Sequence, residues 1–247
     1  MLAELMARTG NRILGEIPPN GKDYWASRFW DRDAAEAHPS IRPHYDVQTE
    51  EVAGLFRRYG SDADRVLEFC CGTGLFTKQA HDLTPAKEIV ALDISTQGLE
   101  RTRKRVGDSP RLKTVHGDFW ADHNLGTAPL VVCMDAIHHL GHPRAALERL
   151  KSFIAPGGTL IGSLWTLDNF HELQRYRYGR IAHLSQTAKF LGSAVAIRAT
   201  GGRLRSDYYR TRLVENRQVE PLLHQVFGEV LFISPKKHHF TAFAVRA

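Results

Sequence analysis

The sequence predicts a doubly wound α/β domain, in which a mostly parallel sheet is covered by helices on both faces. Three observations lead there. Short, largely apolar runs recur with helical stretches between them, at Val66–Phe69, Glu88–Asp93, Leu112–His116, Pro129–Met134 and Thr159–Trp165, an alternation that builds parallel strands joined by crossover helices. Most of these runs are apolar without strict alternation, as expected of strands buried on both faces. The last two runs, Val230–Ser234 and Phe240–Val245, are separated only by Pro235–His239. That link is too short for a parallel crossover, so the pair must be antiparallel.

Composition fits one such domain. The 247 residues, 43% of them hydrophobic, can bury a sizeable core. A net charge of +6 and a pI near 9.3 fit an acidic substrate, nucleic acid or an anionic surface, and equally fit simple solubility. Cys70, Cys71 and Cys133 all fall in strand or turn positions, where free buried thiols are expected and the compartment is a reducing cytosol. Glu4 and Arg8 interrupt the apolar stretch near the start, and nothing approaches the ~18 apolar residues of a membrane span. Neither export nor membrane insertion is expected.

In chain order, residues 1–16 form a short helix that Pro18–Gly21 breaks. Lys22–His38 then reads as a second helix, carrying Tyr24, Trp25, Phe29 and Trp30. Its aromatic stripe fits either core packing or a lid. Val47–Tyr59 is amphipathic, with Val52, Leu55 and Phe56 toward the sheet, and Gly60 ends it. After the first strand a glycine turn opens a helix reaching about Leu83. The second strand ends at Asp93, and Ser95 caps Thr96–Val106, whose Arg101, Arg103, Lys104 and Arg105 form a solvated face. The third strand leads to Asp118, and the fourth leads to Asp135–Leu140. Ala145–Phe153 is a helix, and Pro156–Gly158 turns the chain into the fifth strand. Thr166–Arg217 is the least standard stretch, with four tyrosines and ten Arg or Lys against four Asp or Glu.

The chemistry concentrates at the strand tips. Gly72 and Gly74 let a ligand approach the backbone at a helix N-terminus, although a two-glycine turn is often plain loop chemistry. Asp93, nineteen residues after Gly74, matches a ribose-binding acid at a second strand tip. Glu68 discriminates between cofactor classes: a carboxylate beside the turn repels a pyrophosphate and attracts a cation. It therefore favours S-adenosylmethionine over NAD. A third fingerprint glycine is absent, with Thr77 in its place, as is any Tyr-x-x-x-Lys pair.

Glu68–Gly74, Asp93, His116–Phe119 and Met134–Leu140 together resemble the class I S-adenosylmethionine-dependent methyltransferases of small-molecule type, over about 48–247. The resemblance implies a Rossmann-like fold, with residues 1–45 as a helical lid and 46–247 as the methyltransferase domain. About 166–217 would be an insertion shaping the acceptor pocket. It places the cofactor against Glu68, Cys70, Gly72, Gly74, Asp93, Ile94, Asp118, Phe119, Met134 and Asp135. Asp118 with Phe119 would hold the adenine, the alternative being a helix N-cap. Cys70 departs from the family, which usually has glycine there.

His138 and His139 leave the fourth strand at the edge where such sheets bind ligands. Imidazole titrates near neutrality, so His138, with His139 in reserve, is the expected general base. The alternative is a buried structural histidine. A metal site from these residues with His142 and Asp135 is disfavoured, because adjacent histidines rarely point at one ion. Tyr24, Trp25, Trp165, Arg175 and Tyr176 are the expected acceptor contacts, the acceptor being a small and anionic metabolite. An RNA or tRNA methyltransferase, or a non-catalytic binding protein on the same core, are the competing readings.

Overall fold

The computed structural model describes residues 2–15, 25, 42–204, 213–235 and 240–247. Helix α1 spans Leu2–Leu14 and α2 spans Arg42–Tyr59. The expected helix over Lys22–His38 lies outside the described residues, except that Trp25 is helical. Then follow β1 Arg65–Phe69, α3 Leu75–Leu83, β2 Glu88–Asp93, α4 Thr96–Val106, β3 Leu112–His116 and β4 Ala128–Cys133. A 3-10 turn at Ile137–His139 precedes α5 Pro143–Lys151, β5 Ile154–Trp165, α6 Leu167–Ala199, α7 Asn216–Phe227, β6 Glu229–Ile233 and β7 Phe240–Arg246. One seven-stranded sheet results, in the order β3-β2-β1-β4-β5-β7-β6, with β7 antiparallel to both neighbours and the other pairings parallel.

Side-chain alternation along β1 shows how the sheet divides its two cores. Leu67 and Phe69 join a cluster with Leu147 and Leu150 of α5 and Leu223 and Phe227 of α7. Val66 faces the other way, toward Val52, Leu55 and Phe56 of α2 and Phe76 and Ala80 of α3. Glu68 has the same parity as Val66, so a carboxylate points into the α2/α3 side of the sheet. Burying Phe56 completely contributes roughly 1.5–3 kcal/mol.

Beyond shifts of one or two residues at the ends of elements, three features differ from expectation. Helix α2 begins at Arg42 rather than Val47, because Pro43 lies in its first turn, where its missing N–H goes unneeded. Pro156–Gly158 does not turn the chain before β5 but lies inside that strand; the register slips between Ala128 and Leu130, and Gly157 has φ 74°. The stretch after Thr166 is mostly one helix, α6, broken at Gly179 by φ 77° and ψ 165°. Beyond the break its buried side, Ala194 and Ile197 with Phe190, packs on Leu14 of α1. Helix α1 approaches closely because Gly10 faces Phe190, where an added Cβ would come within 2.5 Å of the ring.

Candidate cofactor and acceptor site

The tips of β1, β2 and β4 carry the centre of the site. Between β1 and α3 the chain needs left-handed backbone at Gly72 (φ 56°) and Gly74 (φ 78°), and also at Cys70 (φ 58°). Here lies the physical reason the resembling family uses glycine at this position. The cysteine keeps the turn at a strain of about 1–2 kcal/mol. A Cβ at Gly74 would lie 2.7 Å from Thr102 Cα, and one at Gly98 would lie 2.7 Å from the Gly72 carbonyl oxygen. Helix α4 is thus pressed against the loop, and the Thr102 hydroxyl donates to Gly72 O at 3.1 Å.

Asp93 grips the same loop. Its Oδ2 accepts from Gly72 N and its Oδ1 from Ser95 N, each at 2.8 Å. Burial raises its pKa, opposed by those N–H groups. Each oxygen keeps a further lone pair, so Asp93 can hold the loop and still accept a ribose hydroxyl. Ile94, next in the chain, has its carbonyl tied to His116 Nε2 at 3.0 Å.

Glu68 is 2% exposed, and its Oε2 has no hydrogen-bond partner among the described residues. Burial raises it to about 8, with the Thr77 hydroxyl opposing and the Asp93 charge adding. A buried carboxyl with an unused oxygen beside a glycine turn fits a cationic group and penalises an anionic one. The residues present therefore fit the ammonium of the amino-acid tail of S-adenosylmethionine.

Asp118 leaves β3 in a tight turn: its Oδ1 accepts from Trp120 N at 2.9 Å, and its carbonyl accepts from Ala121 N at 3.0 Å. No helix starts there. The ring of Phe119 is 3% exposed and meets Phe69 edge-on, whereas Trp120 is 44% exposed. The apolar surface open beside Asp118 therefore belongs to Trp120.

At the tip of β4, Met134 is buried on the α2/α3 side. Asp135 has φ 56°. Its Oδ1 accepts from Gln48 Nε2 at 2.8 Å and from the Ser163 hydroxyl, while Ser163 Oγ accepts from Asp135 N at 2.8 Å. Sequence reasoning missed Gln48 and Ser163. The signal for Gln48 was available, because it interrupts the apolar stripe of Tyr45, Val52 and Phe56 in α2 and is fully buried.

The two histidines separate. His138 is 1% exposed, stacks on Trp165 at 4.5 Å, and accepts from Trp165 N at its Nδ1, 3.2 Å away. With Nδ1 an acceptor, the neutral ring carries its proton on Nε2. Such a ring presents a donor, so the expected role of proton acceptor does not suit His138. His139 lies 4.9 Å from Trp25, and burial lowers its pKa to about 3. Trp165 also stacks on Phe170 at 5.3 Å and meets Phe240 at 5.7 Å, in a small aromatic core with Tyr45 and Leu173 at the end of β5.

The other expected acceptor contacts fare differently. Tyr24 lies outside the described residues. Arg175 is paired with Glu4 of α1, and Tyr176 is 62% exposed, 6.4 Å from His44. The guanidinium expected to hold an anionic acceptor is thus already neutralised by a carboxylate.

Residues 3–198 match the model of a family described as a methyltransferase domain. The chain belongs to the methyltransferase-domain family. A malonyl-[acyl-carrier protein] O-methyltransferase of Halalkalibacterium halodurans is 30% identical over 161 residues, 59% of each chain. The chain therefore spans about three fifths of that relative's length. Among solved structures, magnesium protoporphyrin IX methyltransferase of Synechocystis PCC 6803 with bound SAH superposes with TM-score 0.56 at 13% identity, covering 97% of this chain and 92% of that one. N-methyltransferase NodS of Bradyrhizobium japonicum WM9, in complex with S-adenosyl-l-homocysteine, gives 0.52 at 14% identity, covering 98% and 97%. The seven-stranded, mostly parallel sheet with its antiparallel hairpin is the class I methyltransferase fold, and this family's methyl donor is S-adenosylmethionine.

Proposed function

We propose that this methyltransferase-domain protein moves the methyl group of S-adenosylmethionine to an O, N or C atom of a small acceptor. The observation that carries the reading is Glu68, a buried carboxyl with an unused oxygen beside the Gly72–Gly74 turn. A cationic group draws this raised carboxyl into its ionised form and is then held by it, whereas a pyrophosphate would disfavour that ionisation and gain no ion pair. When bound, the donor supplies an electrophilic sulfonium methyl. Asp93 orients the ribose, and Asp118 with the surface of Trp120 receives the adenine. Gln48 and Ser163 fix Asp135 at the reaction edge.

Most of the rate enhancement then comes from holding the acceptor atom in line. His138 serves as an oriented N–H donor. His139, beside Trp25, is the better placed of the two to take a proton, and its low pKa restricts it to acceptors that become strongly acidic as the bond forms. The aromatic core of Trp165, Phe170 and Phe240 beside His138 favours an acceptor with an apolar or conjugated body. Of the relatives, the ubiquinone biosynthesis O-methyltransferase has a name that fits that class, whereas the malonyl group named for the malonyl-[acyl-carrier protein] O-methyltransferase is small and anionic. An anionic end would rest on Arg177 and Arg180, because Arg175 is paired. The free thiols Cys70, Cys71 and Cys133 fit a reducing cytoplasm. Among the described residues no helix is long and apolar enough to cross a membrane.

The test is transfer of labelled methyl from S-adenosylmethionine into fractionated small metabolites and, separately, into RNA. Label confined to a small-molecule fraction supports the reading. Label in RNA moves the protein to the competing class, and cofactor binding without transfer to any fraction makes it a binding protein.

A further inference from the structure

We propose that Arg149 of α5 is a positioning residue for Asp118, setting how well the site distinguishes adenine from other purines. The inference rests on the reading of Asp118 as the adenine contact. Asp118 follows β3, the last strand on its side of the sheet, so the sheet braces its turn from β2 alone. From β2 comes one bond, Gly117 N to Asp93 O at 3.0 Å, and from within the turn His123 Nε2 meets Asp118 O at 2.7 Å.

Arg149 supplies the brace from the other side. Its Nε donates to Phe119 O at 2.7 Å and its Nη2 to Ala121 O at 2.5 Å. These carbonyls flank Trp120, so one planar guanidinium fixes both ends of the turn that Asp118 begins. The same group lies 5.6 Å from the Phe119 ring, 6.0 Å from Trp120 and 5.5 Å from Phe153. A lysine could meet one carbonyl but could neither fork to two nor stack flat.

One oxygen of Asp118 is committed to Trp120 N, so the direction of the other follows the turn. Loosening the turn should therefore damage recognition of the exocyclic amine more than it damages general cofactor affinity. A role in stability alone would weaken all purine ligands alike or none of them.

The experiment measures binding of S-adenosylhomocysteine and S-inosylhomocysteine to the full chain by calorimetry, in wild type and Arg149→Met, alongside turnover at saturating S-adenosylmethionine. The wild type should prefer adenine by on the order of tenfold, the worth of one hydrogen bond to a carboxylate. Arg149→Met should shrink that ratio to within about twofold while saturated turnover holds. Arg149→Lys, with one carbonyl in reach, should fall between them and gives the same comparison if the Met variant does not fold. An unchanged adenine preference in both variants, or equal loss for both ligands, overturns the role of Arg149. A wild type indifferent to the base overturns the Asp118 reading itself, and the role of Arg149 with it.

Discussion

If Glu68 receives the cationic tail of the cofactor, binding must expel a proton. In the unliganded protein its carboxyl is raised to about 8 by burial, so at pH 7 about 90% of molecules hold it protonated. An ammonium requires the ionised form. For a tail held as an ammonium, the apparent dissociation constant should then be roughly elevenfold weaker at pH 7 than with Glu68 fully ionised, about 1.4 kcal/mol, with close to one proton released per cofactor at pH 7. Affinity should fall again above pH 8 as the ammonium itself loses its proton. Calorimetry in two buffers of different ionisation enthalpy counts that proton. Glu68→Gln should abolish the release, flatten the pH dependence, and weaken binding at pH 9 by about 1.5–3 kcal/mol, the worth of a charge-assisted bond. The apoprotein should respond in the opposite sense. A raised carboxyl stabilises the fold below its unfolded value of 4.5, and that contribution is lost as pH rises through 8. Glu68→Gln should thus unfold at higher urea than wild type at pH 8. Proton release near zero in the wild type, with no pH dependence of affinity, would refute the assignment.

Asp93→Ala removes both the ribose acceptor and the grip on Gly72 N, and should weaken cofactor binding by on the order of 10–100-fold; undiminished affinity in calorimetry would contradict the proposed ribose contact. His139→Ala should lower turnover by about 10²–10⁴ with cofactor affinity held if it takes the proton, whereas His138→Ala should act through the acceptor KM. The reverse pattern in steady-state kinetics would return the role of base to His138. His171 and His183, 1% and 3% exposed and 2.9 Å apart, are both held below the usual histidine range by burial, His171 to about 4. A lowered histidine supports the fold above its unfolded value of 6.5 and loses that support as pH falls toward 4, which for His171 amounts to about 3 kcal/mol. Urea midpoints at pH 7 and pH 5 should separate in the wild type and converge in His171→Leu/His183→Leu; parallel loss in both proteins would place the acid lability elsewhere.

The sheet was legible because periodicity and connection length are local properties. Leu75–Leu83, Thr96–Val106 with its Ser95 cap, and the antiparallel pairing of the last two strands all follow from nearby residues, and the structure agrees. The strand tips were legible too, since topology forces the ends of β1, β2 and β4 together. What escaped depends on partners distant in sequence. Gln48 reaches Asp135 across 87 positions, and neither residue announces the other. The same holds for Arg175, whose charge invited an anion until Glu4, 171 positions away, met it. His138 shows a subtler limit, for a side chain can be placed correctly while a single backbone N–H, that of Trp165, decides which nitrogen faces the chemistry.

The pairing of α1 with the far half of α6 also bears on how the chain is made. Leu14 must wait for Ala194 and Ile197, about 180 residues later in synthesis. A thirteen-residue helix is marginal on its own in water, and closing so long a loop carries an entropic cost that only the finished partner offsets. During translation the central strands can assemble while this first segment stays uncommitted, its Ala3, Ala7 and Leu14 side open to chaperones. The link between Glu4 and Arg175 therefore waits until α6 is made, after β1 to β5 and before β6 and β7, so a chain halted short of α6 would lack both that closure and the antiparallel edge of the sheet.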